Sequence, residues 1–295
     1  MSSGRSLLIR NLYTFIKVKF CISSLFALVA FTFLFPFNTA GQGNLLVTPR
    51  RVVFDGSKRS IDLNLANIGQ DTATYAISLV QIRMKEDGGF ETITVPDPGQ
   101  NFADQNLRFF PRSVTLPPNE AQVVKVQLIR ATQLAPGEYR SHFYFRAVQK
   151  IKPLGQEEAV IDTTIFSVRL TPVFGITIPA IIRVGESNTK VTLSELALNI
   201  AEDATPTLGL KFNRTGNFSV YGDLAVDHVS PQGTVTRVGA ANGIAVYTPN
   251  SVRRFQFNLN KIPEVDFRSG KLLVVFSASS DVKPAKLAEA ELKLN

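Results

Sequence analysis

The sequence predicts an all-β protein of two immunoglobulin-like β-sandwich domains behind an N-terminal export signal. Three observations carry this. From Asn44 onward, short segments with apolar residues at alternate positions recur, separated by Gly, Pro, Asn and Asp. No sustained helical period interrupts them, and Lys286–Leu292 is the one stretch open to a helical reading. Leu107–Phe145 reads as strand, Pro-rich turn, strand, loop and strand, with a tyrosine set at the last corner.

The export signal comes first. Arg5, Arg10, Lys17 and Lys19 form a basic leader, and Phe20–Phe35 is an apolar run too short for a typical membrane span. Pro36 and the small residues Thr39-Ala40-Gly41 follow, which places cleavage near Ala40 and a signal peptide over residues 1–40. Those four basic side chains supply half of the formal net charge of +8. No dense Lys/Arg stripe remains downstream, so the charge pattern gives no support to nucleic acid as a partner. The one cysteine, Cys21, lies inside the signal segment, which excludes structural disulfides and cysteine-based metal sites from the mature chain. Stability must then come from apolar burial, which about 250 residues can supply.

The first domain is expected over residues 41–182. Leu45–Phe54 reads as a strand, and Asp55-Gly56 as a tight turn. Ile61, Leu63 and Leu65 alternate with polar or small residues, and Thr74–Lys85 is a further strand. In Ala121–Ile129, Val124, Val126 and Leu128 share one face while Lys125 and Gln127 take the other. Pro117-Pro118-Asn119-Glu120 is turn chemistry. Tyr139 follows Leu134-Ala135-Pro136-Gly137-Glu138, the pattern of a tyrosine corner whose hydroxyl bonds back to upstream backbone, and Phe143 and Phe145 are core residues. Gln149–Glu158 is polar and reads as a loop. Ala159–Leu170 is a long β-branched strand, and Pro172 and Pro179 interrupt the strand after it, as at a sheet edge or domain switch.

A second domain is expected over residues 183–295. Its strands are Thr192–Ile200, Leu208–Phe212, Phe218–Val229, Thr234–Val238, Ile244–Tyr247, Val252–Leu259 and Lys271–Ser277, with turns at Thr215-Gly216-Asn217, Pro231-Gln232-Gly233 and Asn242-Gly243.

Catalysis finds little support. His142 and His228 lie in different domains, each within a strand pattern, and Asp87, Asp97 and Asp104 are scattered loop carboxylates. Nucleophile-elbow, phosphate-loop, zinc-protease and dinucleotide motifs are all missing from the sequence. The expectation is a protein that is not an enzyme.

Three pieces in order, Arg51-Val52-Val53-Phe54-Asp55-Gly56-Ser57, Leu116-Pro117-Pro118-Asn119-Glu120-Ala121-Gln122 and Tyr139–Phe145, carry a resemblance. Residues 44–180 resemble the periplasmic pilus-assembly chaperones of the PapD-like family. The resemblance implies two immunoglobulin-like sandwiches joined at an angle, with a cleft between them that anchors the C-terminal carboxylate of a pilus subunit. It implies pilin-like subunits and an outer-membrane usher as partners, a periplasmic location, and no nucleotide, metal or other cofactor. Arg51 matches the family's first cleft arginine, and its neighbour Arg50 points to the opposite face. Where the family carries a cleft lysine this chain has Pro172, so Arg169 is the candidate second anchor. In that family a long edge strand lends alternate side chains to the incomplete fold of the subunit. Here that strand is Ala159–Leu170. Either face fits, because a one-residue slip exchanges them. The face with Ile161, Thr163, Ile165 and Ser167 is the expected donor, and Val160, Phe166, Val168 and Leu170 the expected core. The rival reading is a secreted structural or adhesive pair of immunoglobulin-like domains that stays in a surface assembly.

Overall fold

The computed structural model describes residues 44–149, 173–200, 205–279 and 285–294. The expected signal peptide lies outside the described residues, as do Ile161, Thr163, Ile165, Ser167, Arg169 and Pro172.

The described chain is β throughout, apart from two single turns of 3₁₀-helix. The first group of strands is β1 (Leu45–Thr48), β2 (Val52–Phe54), β3 (Ser60–Asn67), β4 (Ala73–Met84), β5 (Phe90–Ile93), β6 (Leu107–Phe110), β7 (Ser113–Leu116), β8 (Ala121–Leu128), β9 (Gly137–Val148) and β10 (Gly175–Val184). The second is β11 (Lys190–Asn199), β12 (Thr207–Thr215), β13 (Val220–Val229), β14 (Val235–Val246), β15 (Val252–Asn258), β16 (Lys271–Ala278) and β17 (Lys286–Lys293). In the first sandwich, a sheet ordered β1-β3-β8-β6 packs on one ordered β2-β10-β9-β4, with β5 and β7 both added to β4. In the second, β11-β12-β15 faces β14-β13-β16-β17.

Each sandwich closes on its own apolar core. Val52, Phe54, Leu63, Leu65, Val124, Val126, Phe143 and Phe145 fill the first, and Leu208, Phe212, Val226, Val274 and Phe276 the second. The expected inward residues of the Ala121–Ile129 segment are therefore core. The tyrosine corner forms as well, with the Tyr139 hydroxyl donating to the Ala135 carbonyl at 3.2 Å.

Three local expectations are corrected. Leu45–Phe54 is two strands, because the chain changes sheets at Pro49–Arg51: β1 pairs antiparallel with β3, whereas β2 pairs parallel with β10. Asn242-Gly243 is not a turn between strands; it sits inside the continuous β14, where the β13–β14 register slips and Gly243 adopts φ +74°. Lys286–Leu292 is not helical but lies in strand β17, paired antiparallel with β16. Ala288, Ala290 and Leu292 alternate with Glu289, Glu291 and Lys293 and pack on the second core, and Leu287 joins them where the register slips.

The two sandwiches meet through a third cluster. Met84, Ile181, Ala245 and Tyr247 are buried there, with Val53 and Tyr221 against them. Strand parity makes this possible. In β2, β9 and β10, alternate residues enter the first core, and of the intervening ones Val53, Glu138, Arg140, Ile181 and Arg183 face the second sandwich.

Candidate functional site

The intervening residues of those three strands are largely polar. On β9 they are Glu138, Arg140 and His142, all at most 3% exposed. On β10 they include Ile181 and Arg183, which pair across with Arg140 and Glu138. On β2 the same face carries Val53, preceded two residues earlier by Arg51. Buried charges need partners, and how each is partnered separates joint from site.

Glu138 is fully partnered. Its carboxylate accepts from Arg183 Nε at 3.1 Å, from the Ser219 amide at 3.0 Å, from the Ser219 hydroxyl at 2.8 Å and from the Thr248 hydroxyl at 3.2 Å. Arg183 also donates to the Ser219 carbonyl at 2.8 Å. Arg140 donates to the carbonyls of Ile82 and Thr248 and lies 4.4 Å over the Tyr247 ring. Asn250 donates to the Met84 carbonyl at 2.7 Å. The bonds to Ser219 and Thr248 and from Asn250 cross between sandwiches and act as a rivet, and those of Arg183 to Glu138 and of Arg140 to Ile82 brace it within the first. His142 is held neutral within it: burial, reinforced by Arg140, pushes its pKa down to about 3.

Arg51 differs. It lines a cleft of about 460 Å³ together with Val53, Arg183, Ser219, Tyr221 and Leu287. Its guanidinium stacks 3.8 Å from the centre of the Tyr221 ring. Its Nε is buried without a hydrogen-bond partner, as are Arg140 Nε, His142 Nδ1 and Arg253 Nε. Arg140 and Arg253 donate to carbonyls through their other nitrogens, whereas no carboxylate among the described residues pairs with Arg51. Burial lowers its pKa, and Arg183 adds to the lowering against the opposing influence of Tyr247. The guanidinium nevertheless keeps its charge. A cleft holding an unpaired, partly desolvated cation favours an anion, and a guanidinium grips a carboxylate with parallel hydrogen bonds.

The cleft adjoins an open sheet edge. β2 pairs with β10 only at Ala180–Ile182, so on that side Gly175–Pro179 have no strand partner among the described residues. Pro179 falls where the open edge ends, and Arg51 immediately precedes the first pair, Val52 with Ala180. Farther along that edge Val173 and Phe174 are each more than 40% exposed, as is Val148 at the end of the neighbouring β9.

Of the residues expected from sequence, Arg51 is in the cleft and Arg50 is exposed outside it. Arg169 and the Ile161–Ser167 segment lie outside the described residues. Sequence reasoning missed Arg183, Glu138 and Tyr221. Arg183 had a faint signal, a lone charge ending the apolar run Ile176–Ile182. Glu138, Arg140 and His142 share a strand face by parity, but nothing local marks that face as buried. Among the described residues no group of three His, Cys, Asp or Glu could hold a metal.

No family model matches the chain, and no curated protein does. Solved structures overlay it loosely. They include the E. coli chaperone DraB (12% identity, TM-score 0.41, 85% of this chain and 96% of that one), and the Pseudomonas aeruginosa CupB2 chaperone (13%, 0.40, 85% and 100%). The YadV chaperone is similar at 12% identity and TM-score 0.41, over 85% of this chain and 100% of that one. Overlap this loose leaves function to be argued from the cleft and the edge beside it.

Proposed function

We propose that this protein is an exported, periplasmic chaperone that captures pilin-like subunits by strand addition and hands them to an outer-membrane usher. The observation that carries the reading is the unpaired Arg51 guanidinium at the end of the open β10 edge. A subunit lacking one strand exposes an apolar groove and unpaired backbone groups, both prone to aggregation. A strand laid along Gly175–Pro179 satisfies the backbone of both proteins. If it runs parallel to β10, as β2 does, its C-terminus arrives at Pro179, beside Arg51. The carboxylate then neutralises Arg51 and sets the register. Such a charge-assisted bond contributes about 1.5–3 kcal/mol. That is enough to select one register while the strand supplies most contacts. The exposed Val148, Val173 and Phe174 extend the capture surface away from the cleft. Arg183 is committed to Glu138, so Arg51 acts with the cleft hydroxyls as the main anchor.

The test is co-expression with a secreted pilin-like subunit from the same source, followed by purification of complexes. The expected result is a one-to-one complex that Arg51→Glu and Ile165→Asp each reduce at least tenfold. Capture unchanged by both variants contradicts the reading, and persistence of the protein in the finished surface assembly favours a structural module instead.

A further inference from the structure

The Arg51 guanidinium belongs to the first sandwich, but the surface it rests on belongs to the second. Tyr221 is the second residue of β13, and its ring centre lies 3.8 Å from the guanidinium carbon. Two residues earlier, Ser219 is bound through both its amide and its hydroxyl to Glu138 of the first sandwich. The backbone that carries Tyr221 is thereby fixed relative to Arg51. Gly243 approaches the hydroxyl end of the same ring. A Cβ at that position would stand 3.3 Å from the Tyr221 hydroxyl oxygen and within 4 Å of its ring carbons, and φ there is +74°. The misread Asn242-Gly243 pair thus acquires a role: a glycine in the bulge leaves room for the ring.

Stacking has a directional consequence. The guanidinium N–H groups lie in the plane of the group, so a flat stack on Tyr221 points them out parallel to the ring. An arginine with a free side chain samples many orientations, and each side chain that must be frozen on binding costs about 0.5–1.5 kcal/mol. With the Arg51 Nε already buried, the remaining N–H groups are the ones available to a carboxylate.

We infer that Tyr221, given room by Gly243, is a positioning residue that holds the plane of Arg51 for a carboxylate. The selectivity of the cleft for a free C-terminus is then built across both sandwiches. This inference rests on the carboxylate-anchor reading of the cleft. It requires an aromatic ring at this position and leaves the ring hydroxyl dispensable.

The test uses the purified protein with two probes, N-acetylphenylalanine and its C-terminal amide, their affinities read by NMR titration of labelled protein. The wild type is expected to bind the acid at least tenfold more tightly than the amide. Arg51→Ala abolishes that preference. Tyr221→Phe keeps it within twofold, whereas Tyr221→Leu, similar in bulk but without a π face, reduces it at least fivefold. In the Tyr221→Leu background, Arg51→Lys costs no further preference. Gly243→Ala, which disturbs the ring from a residue not stacked on Arg51, lowers it as well and serves if Tyr221→Leu fails to fold. A preference lost in Arg51→Ala but kept in Tyr221→Leu, or kept in Gly243→Ala if that variant stands in, overturns the inference and leaves the anchor reading intact. A wild type with no preference, or a preference that survives Arg51→Ala, overturns both.

Discussion

The two faces of β2, β9 and β10 are buried in different ways. One holds Val52, Phe54, Phe143 and Phe145, each 0% exposed, and is stabilised by area alone. The other holds Arg51, Glu138, Arg140, His142 and Arg183 and is stabilised bond by bond. On an apolar face every residue is satisfied by contact. On a polar face satisfaction can be counted, and the count exposes the site: Glu138 is saturated, while Arg51 has the Tyr221 ring but no carboxylate among the described residues. Arg140 Nε and His142 Nδ1 are also buried without a partner, but Arg140 is tied to two carbonyls through its other nitrogens. Arg51, a cation stacked on a ring in an open cleft, is where an anion belongs.

The largest effects come from removing one member of each face. Phe143→Ala is expected to cost about 3–5 kcal/mol of unfolding free energy, as large-to-small changes in a tight core do. Glu138→Ala is expected to cost a similar amount, about 3–5 kcal/mol, because Arg183 and Ser219 lose a buried acceptor. The pattern separates them in chemical denaturation followed by hydrogen exchange. Phe143→Ala lowers protection throughout the first sandwich. Glu138→Ala loosens first around Ser219–Tyr221 and Thr248, where the rivet ends. If Glu138→Ala lowers protection uniformly, the polar face is no more a separate joint than the core is.

The second expectation is a pH dependence. His142 has a folded pKa near 3, below its unfolded value of about 6.5. Between these values the unfolded chain binds a proton that the folded chain refuses, so stability falls as pH drops below about 6.5 and stops falling near 3. The slope is about 1.4 kcal/mol per pH unit well inside that window. Denaturation at pH 7 and pH 5 checks it, with His142→Phe expected to remove the slope. That interval lies above the range in which the lowered carboxylates Asp55 and Asp97 titrate.

Smaller effects sharpen the contrast further. Gly243→Ala is expected to cost roughly 1–2 kcal/mol, the price of a left-handed backbone for a residue with a Cβ. Tyr139→Phe, which removes the corner hydrogen bond to Ala135, is expected to cost about 0.5–1 kcal/mol. Thermal unfolding resolves both, and only Gly243→Ala should also weaken carboxylate binding.

The apolar face was legible in the sequence because its information is local. Val124, Val126 and Leu128, or Phe143 and Phe145, announce themselves by period two. The tyrosine corner was legible for the same reason. The polar face was half legible. Parity places Glu138, Arg140 and His142 together, but period two cannot tell water from a second domain as the environment of that face. Arg51 was found through a motif; Tyr221, some 170 residues away, was not, because their stacking depends on how the two sandwiches dock. The break at Pro49–Arg51 was hidden by the continuous apolar pattern that β1 and β2 share, although they lie in different sheets. Asn242-Gly243 misled because its glycine serves a bulge instead of a turn, and both uses need positive φ.

The central claim, capture at the β10 edge beside Arg51, is tested most directly by hydrogen–deuterium exchange on a one-to-one complex with a pilin-like subunit. The account predicts new protection concentrated at the outward amides of Gly175–Ile178 and around Arg51, and its loss around Arg51 in Arg51→Glu. Protection confined to the outer faces of the sheets, with Gly175–Ile178 exchanging as in the free protein, contradicts it.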